Sequence, residues 1–341
     1  MRAAIYTFLL AGILSAALAA PGADTRAQQQ QQPSPRATPA PADAAADDTE
    51  RVTIRLVRLP ITVVDKKGQP VAGLAPSDFQ ILEDQRPQQF EMITKVEELE
   101  RLPVFVALLM DTSSSTAGKM KFMKEAASNF MHTVSRVRKD RVAFATFDDE
   151  VNLLQDFTSD FSQVDEAIRK VKAPGQHTSL YDAVWMICNE KMRNLGPARR
   201  AMVVITDGDD TYSRATLKDA IDIAQRTETV IFAISTKGGF AGSSVPGVEA
   251  GTVHDRGDKN LEKLCEETGG RAFFTGDMLA LERSFSRIAK ELRAQYIATY
   301  RPTNDRYDGS FRRIEVKLNG DRDGLRVRAK RGYLAKNDTV R

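Results

Sequence analysis

Oxygen-bearing side chains follow two apolar segments of the chain in a spacing that suits a hard divalent cation. Asp111, Ser113 and Ser115 come directly after one apolar segment of strand length, and Asp207 comes directly after a second. A carboxylate and two hydroxyls at alternate positions of a strand-to-helix turn can converge on one point. Mg²⁺ takes about six oxygen ligands and usually keeps some of its waters. The pattern therefore indicates a cation site built from carboxylates and hydroxyls.

Strand-like and helical segments alternate from residue 103 onward, which is typical of a parallel sheet covered by helices on both faces. The predicted fold class is therefore α/β, with a doubly wound and mostly parallel sheet. In such sheets ligands bind beyond the carboxyl ends of the strands, where the oxygen-bearing residues lie. The predicted strands are 104–110, 141–147, 201–206, 229–234 and 271–275, and the predicted helices are 119–137, 161–171, 180–192, 217–226, 261–268 and 278–292.

The segments on either side of this region lack long helical periodicity and have the pattern of short strands and turns. They span 51–101 and 295–335, around an α/β domain at 102–294. Because chain ends tend to lie close together, we predict that both segments pair into one small β-rich sandwich with the α/β domain inserted. The predicted strands there are 52–64, 79–82, 90–93, 296–300, 311–318 and 325–329, and 336–341 is a tail.

The start of the chain has the pattern of a secretion signal. Arg2 precedes a long uncharged apolar run that ends in Ala17-Leu18-Ala19, a small-x-small cleavage site. We expect residues 1–19 to be removed; the alternative is a retained anchor, since the run has about the minimum length for a membrane span. Residues 20–50, rich in Gln, Pro and Ala, are expected to be a disordered linker. The mature chain is predicted to be exported, periplasmic or secreted, with no stable membrane span if the signal is cleaved.

Composition argues against several kinds of protein. Lys and Arg total 49 and Asp and Glu total 46, a net charge of +3, so the basic excess of a nucleic-acid-binding protein is missing. Two cysteines exclude a disulfide-built scaffold and a cysteine zinc cluster, and three histidines argue against a His-rich metal site. Cys188 and Cys265 are expected to be free thiols, with a disulfide as the alternative. One solvated strand face is expected for the basic residues near the C-terminus, Arg326, Arg328, Lys330 and Arg331.

The ordered set of strand-end residues resembles the von Willebrand factor A (VWA) family, which includes the integrin I domains. Asp111, Ser113 and Ser115 match the Asp-x-Ser-x-Ser motif of that family's metal-ion-dependent adhesion site (MIDAS), and Thr178 and Asp207 match its two remaining positions. The resemblance covers the α/β region. It implies a Rossmann-like VWA domain in which these five residues hold Mg²⁺, or Mn²⁺, directly or through water.

Three residues near these positions leave alternatives open. His177 departs from the family pattern, which often has Gly before the threonine. We expect its imidazole to point to solvent; otherwise it narrows the loop or adds a nitrogen ligand that favours Mn²⁺ or another transition metal. Asp209 and Asp210 are expected to be plain loop residues, with an extended acidic rim as the alternative.

The flanking segments also resemble a bacterial VWA-related family that is common in acidobacteria. Residues 61–71 and 74–79 look like its leader, and residues 296–300 and 331–333 look like its closing segment. This second resemblance supports the architecture of the chain more than any activity.

The resemblance implies a non-enzymatic protein-binding module for adhesion or scaffolding. In the VWA family an acidic residue of a partner protein takes the coordination position left to water, and the last helix can shift between states of different affinity; residues 281–292 would be its counterpart. The Gly- and Ser-rich segment 237–255 would rim the metal face and either select the partner or be an irrelevant insertion. The sequence holds no phosphate-binding or dinucleotide-binding glycine motif and no complete nucleophile elbow.

Three other interpretations stay open at the level of sequence. A structural envelope protein with an empty site would bind partners equally well with and without divalent ions. A metal-dependent hydrolase would use the same centre to activate water. Asp111 and the serines would otherwise only cap a helix N-terminus, although a cap does not account for Thr178 and Asp207.

Overall fold

Fourteen strands and six α-helices make up the described part of the chain. The computed structural model describes residues 56–93, 98, 102–134, 139–171, 175–207, 209–237, 255–274, 278–320 and 322–336. The predicted signal and linker, most of the predicted rim segment 237–255 and the last five residues lie outside these ranges.

The strands, in chain order, are β1 (Val57–Val64), β2 (Phe79–Glu83), β3 (Arg86–Pro87), β4 (Phe90–Ile93), β5 (Val104–Asp111), β6 (Arg141–Phe147), β7 (Val151–Thr158), β8 (Arg199–Thr206), β9 (Thr229–Ser235), β10 (Arg271–Phe274), β11 (Tyr296–Tyr300), β12 (Phe311–Leu318), β13 (Arg326–Arg328) and β14 (Gly332–Leu334). The helices are α1 (Met120–Val134), α2 (Phe161–Lys170), α3 (Leu180–Met186), α4 (Leu217–Arg226), α5 (Arg256–Glu267) and α6 (Met278–Arg293). Short 3₁₀ turns lie at Pro76–Asp78 and Ser114–Lys119, and a π-helical turn at Ile187–Met192 extends α3.

A six-stranded sheet in the order β10-β9-β8-β5-β6-β7 forms the centre of the α/β region. All its pairings are parallel except that of β6 with β7. Alternate residues of β5 face opposite cores: Leu108 and Met110 belong to a cluster with α1, α2 and α6, whereas Ala107 and Leu109 belong to a cluster with α3, α4 and α5. The sheet is thus covered on both faces, which explains the continuous apolar strands. The predicted doubly wound α/β fold is confirmed.

The antiparallel edge strand β7 was not predicted. Its burial alternates between partly buried and exposed residues, because an edge strand contacts the core with one face only. Val151, Leu153 and Phe157 are the inward-facing apolar residues. They lie two and four positions apart, all on one face of the strand, and this alternation is the signal that could have identified it.

Two helices differ from their predicted extents. The helix predicted at 261–268 begins five residues earlier, at Arg256, because the Asp255 carboxylate accepts the Asp258 N–H at 3.0 Å and caps its first turn. The helix predicted at 180–192 is α-helical only to Met186 and continues as the π-helical turn.

Both flanks contribute strands to two further four-stranded sheets, in the orders β13-β1-β11-β4 and β14-β12-β2-β3. In the first, Ile61 of β1 pairs with Tyr296 of β11; in the second, Ile81 of β2 pairs with Val316 of β12. The inner faces of the two sheets share one apolar cluster, which includes Leu59, Ile61, Ile81 and Tyr296. The predicted pairing of the N- and C-terminal flanks into one small β-rich domain is therefore confirmed.

The basic residues near the C-terminus do not form one solvated face, so that prediction is wrong. Arg328 of β13 lies 2.5 Å from the buried carboxylate of Glu291 on α6. Lys330 is 7% exposed, and its ammonium donates to the Gln225 carbonyl of α4 at 3.2 Å. Arg326, by contrast, is exposed. The reason is that this segment packs on the helices of the α/β region, where a buried carboxylate and a carbonyl at the end of α4 attract its cations.

Both cysteines are buried and free, as expected. Burial raises the pKa of Cys188 to about 12, so its thiol stays protonated and unreactive at neutral pH. Among the described residues, no helix combines the length and the apolar character needed to cross a bilayer.

Candidate functional site

The candidate site lies where the sheet reverses its winding, at the carboxyl ends of β5 and β8. These two strands are adjacent and parallel, with Met110 opposite Ile205. The next residues along each strand are Asp111 and Thr206, and the Thr206 hydroxyl donates to Asp111 Oδ2 at 2.6 Å. Crevices at such reversal points are where open α/β sheets bind ligands. Asp207, one residue further, leaves the sheet at the same edge.

Asp111 is a fully buried carboxylate with a like charge nearby. Its Oδ1 accepts the Ser113 N–H at 2.9 Å, and the side chain is 0% exposed. Burial raises the pKa of Asp111 from 3.8 to about 6, and repulsion from Asp207 adds to this, against the opposing hydrogen bonds from Ser113 and Thr206. A cation placed beside Asp111 and Asp207 would offset both the burial of the Asp111 charge and its repulsion from Asp207.

The two serines lie on the 3₁₀ turn that follows β5. Ser113 is 2% exposed and Ser115 is exposed, and their hydroxyl oxygens lie 3.0 Å apart. The Thr116 hydroxyl donates to the Ser113 carbonyl at 2.8 Å, which fixes the turn. Ser113 stands at the N-cap position, yet its side chain makes no capping hydrogen bond. Helix capping therefore does not account for this hydroxyl.

The loop that carries Thr178 is fastened to the turn after β5. The Gly175 N–H donates to the Thr112 carbonyl at 2.9 Å, and the Ser114 hydroxyl donates to the Gln176 carbonyl at 3.2 Å. Gly175 also lies tight against the β6–β7 turn, since a Cβ added there would lie 2.6 Å from Asp149 Oδ2. Only glycine allows this close approach without displacing the turn. Thr178 itself is 4% exposed.

A third loop, between β8 and α4, is joined to the Thr178 loop. The N–H groups of Thr211 and Tyr212 donate to the Thr178 carbonyl at 2.9 and 3.0 Å, and the Thr178 N–H donates to the Thr211 hydroxyl at 2.9 Å. Asp210 accepts the Tyr181 N–H at 3.3 Å and so fixes this loop to the start of α3. The Asp210 carboxylate is thus a structural part of the loop. The three segments that carry the predicted ligands form one hydrogen-bonded rim.

Two lysines place positive charge beside the carboxylates of the rim. The Lys119 ammonium donates to the Thr236 carbonyl at 2.6 Å; burial lowers its pKa, while attraction from Asp207 and Asp111 opposes that shift. Lys237 lies 2.7 Å from Asp209 and 2.5 Å from Asp255. Burial opposes the charge on Lys237, but its bonds to the two aspartates outweigh that effect and raise its pKa.

His177 is partly exposed but does not simply point to solvent. Its Nδ1 lies 2.5 Å from Asp149 Oδ1, and its ring stacks on Tyr212 with centroids 4.7 Å apart. The Gln176 N–H, and after it His177, hold the pKa of Asp149 below its ordinary value. The imidazole thus ties the Thr178 loop to the turn between β6 and β7.

The structure places all five predicted site residues on this rim, and four of them are buried. Within the described residues, no cluster of three or more His, Cys, Asp or Glu side chains suited to a metal occurs, so a cation here would depend on hydroxyl oxygens as well as on Asp111 and Asp207. Sequence reasoning missed Thr206 and Lys119. Thr206 directly precedes Asp207 at the strand end, and that position was the available signal; Lys119 gave none.

Comparison with known proteins identifies the class of the domain. The profile of the von Willebrand factor type A domain matches residues 106–287, more than half of the chain, and the chain belongs to this family. VWA domains are typically non-enzymatic modules that bind protein partners. No curated protein matches the chain.

Several solved structures resemble the chain. An aerotolerance-related membrane protein from Bacteroides fragilis is 17% identical, with a TM-score of 0.44, and the match covers 55% of this chain and 98% of that one. The vWF domain of the type V pili tip protein Mfa5 from Porphyromonas gingivalis is 15% identical, with a TM-score of 0.42, covering 55% and 94%. Proximal thread matrix protein 1 from the mussel byssus is 13% identical, with a TM-score of 0.44, covering 57% and 48%.

Proposed function

We propose that this chain is an exported protein-binding module that binds its partner through a divalent cation. Mg²⁺, or Mn²⁺ in its place, would be held by Asp111, Ser113, Ser115, Thr178 and Asp207, directly or through water. The observation that carries the proposal is the meeting of β5 and β8 at the reversal of the sheet, with the Thr206 hydroxyl bonded to the buried Asp111 carboxylate.

The chemistry of the donor set fits a hard cation. The candidate ligands offer only oxygen atoms, and the two carboxylates balance the charge of a divalent ion. Asp111 is buried and its pKa lies near 6, so an ion beside it would favour the charged form that burial penalises. The Nδ1 atom of His177 is engaged by Asp149, and His177 is not among the proposed ligands.

The partner would be a protein that presents an acidic side chain. A bound cation supplies a coordination position that a carboxylate from outside can take. The rim around it carries Lys119 and Lys237, but both ammonium groups are engaged by neighbouring carbonyl or carboxylate groups. The chain itself would hold the rim rigid through the hydrogen bonds between its three loops and would perform no catalysis.

Export to the periplasm or the medium is part of the same proposal and is supported by the signal-like start of the sequence.

Calorimetric titration of Mg²⁺ and of Mn²⁺ into the full chain tests the proposal. We expect saturable binding at one site, weakened at least about tenfold by Asp111→Ala because the buried carboxylate is lost. Asp209→Ala is the matched control, since it removes a carboxylate of the same rim outside the proposed ligand set. Absence of saturable binding to the wild-type chain, or equal affinity in Asp111→Ala, would contradict the proposal.

Metal-dependent capture tests the partner. The wild-type chain and Asp111→Ala, both immobilised, are exposed to envelope extract in Mg²⁺ and then in EDTA. We expect a protein retained only by the wild-type chain and only in Mg²⁺. A partner retained equally in EDTA would instead support a structural protein whose site is empty.

A further inference from the structure

A second feature of the chain lies away from the rim, where the β-rich domain meets the edge of the six-stranded sheet. A cleft of about 530 Å³ opens there between β10, β13 and the turn after β1. Its basic side chains come from both parts of the molecule: Lys66, Lys67, Arg271, Arg326 and Arg328. We call this the arginine cleft.

The three acidic residues of the cleft form no ion pair with these cations. Asp65 accepts the N–H groups of Lys67 and Gln69 in its own turn, each at 2.8 Å. Glu266 is engaged by Arg331, outside the cleft, at 2.7 Å. Glu262 is the third acidic residue of the lining and makes no ion pair with a described cation.

Four of the five cations have no ion-pair partner in the part of the chain that the structure describes. Arg328 is paired with Glu291, but the side chains of Lys66, Lys67, Arg271 and Arg326 make no hydrogen bond or ion pair with any described residue. The Arg271 guanidinium lies over the ring of Phe273, at 4.9 Å from the centroid, and close to Gly68 of the turn after β1.

Arg271 shows that this arrangement has an energetic cost. It is half-buried, and burial, with repulsion from Arg328, Arg287 and Arg326, lowers its pKa against the attraction of Glu291. Like charges in a partly desolvated place destabilise a fold unless an anion joins them. Guanidinium groups match the geometry of phosphate and sulfate oxygens through paired N–H donors.

We propose that the arginine cleft binds a soluble ligand that carries two or more phosphate or sulfate groups. The cleft is far larger than one such group, and its cations stand on two walls, so the ligand would bridge the β-rich domain and β10. A concave cleft between two layers of the protein suits a free ligand and not the flat surface of a bilayer. This proposal does not depend on the cation site at Asp111.

Titration with inorganic tripolyphosphate in EDTA tests the arginine cleft without a contribution from bound metal. We expect saturable binding to the full chain, weakened by added salt because it is electrostatic. Asp111→Ala should bind tripolyphosphate as the wild type does, which separates this proposal from the metal site. Arg271→Gln with Arg326→Gln should weaken binding by about tenfold or more.

Two further variants keep the test decisive. Lys66→Gln with Lys67→Gln changes two exposed side chains on a turn, so it should weaken binding even if the arginine variant folds poorly. Arg169→Gln with Lys170→Gln, which removes two exposed cations of α2, is the charge-matched control and should leave binding unchanged. Three results would each overturn the proposal. The wild-type chain could show no saturable binding, or both cleft variants could bind tripolyphosphate as tightly as the wild type. The chain could also bind phosphatidylglycerol vesicles but not tripolyphosphate.

Discussion

Asp111 is a carboxylate in a fully buried position, and this has a consequence for stability. Without a cation, its pKa in the folded chain is about 6, against an ordinary value of 3.8. Between these two values the folded state holds a proton that the unfolded state has lost. The free energy of unfolding therefore falls as pH rises through this window, by about 3 kcal/mol.

Urea denaturation of the metal-free chain at several pH values between about 4 and 7 measures this fall. We expect Asp111→Asn to remove most of the pH dependence between those values, because the amide does not ionise. Asp305→Asn, at an exposed position of the β-rich domain, should keep the wild-type slope. A slope that is the same in Asp111→Asn and the wild type would show that Asp111 does not titrate in this range.

The oxygen-bearing residues could be found from sequence because each one lies at the end of a buried strand, in the turn after it, or just before a helix. The residues that hydrogen-bond to them and hold them in place could not be found in this way. The Thr206 hydroxyl reaches Asp111 only because β5 and β8 are neighbours, although 95 residues separate them. In the same way, Asp149 engages His177 across the turn between β6 and β7. Such contacts depend on strand order, and a single sequence does not contain that order explicitly.

At the scale of the elements, apolar runs predicted the buried strands well and exposed edges poorly. β5, β8 and β9 are buried and apolar along the middle of each strand because helices cover both faces of the sheet. β7 covers the core with alternate residues only, and its signal was correspondingly weak. The prediction of one solvated face for the basic segment after β12 was wrong because the carboxylate that attracts Arg328 belongs to α6, an element of the other domain.

The contact between α6 and β13 is a buried ion pair. Removing one partner should lower the free energy of unfolding by more than replacing both. Glu291 is 0% exposed, and the side chain of Arg328 is 19% exposed. Glu291→Ala leaves a partly buried guanidinium without its partner, so we expect a loss of about 3 kcal/mol in the free energy of unfolding. Replacing both residues, as Glu291→Leu with Arg328→Met, should cost much less, because no buried charge is left.

Urea unfolding of the single and double variants measures both values. The exposed pair of Glu266 and Arg331 is the control: Glu266→Ala should cost less than about 1 kcal/mol, since water screens that pair. If Glu291→Ala and Glu266→Ala lowered the free energy of unfolding by the same amount, burial would not make the loss of the partner of Arg328 more destabilising.

At the scale of the whole molecule, the α/β region and the β-rich domain are tied together by more than this pair. Only two residues separate the end of α6 from the start of β11. An isolated bridge joins Thr268 to Lys330, and the Arg331 N–H donates to the Glu267 carbonyl at 3.1 Å. Because the N- and C-terminal flanks complete each other's sheets, neither flank can unfold alone without exposing the core that they share.

We therefore expect the two regions to unfold as one cooperative unit. In native-state hydrogen exchange, the most protected amides of β1 and β11 should exchange with the same free energy as those of β5 and β8, since all require global unfolding. Glu291→Ala should lower both values by the same amount, although it lies on a helix of the α/β region. If β1 and β11 instead exchanged at a lower free energy than β5, or if the variant lowered only one set, the β-rich domain would be an independent unit. The contacts of Arg328, Lys330 and Arg331 would then hold two separately stable domains together without coupling their stabilities.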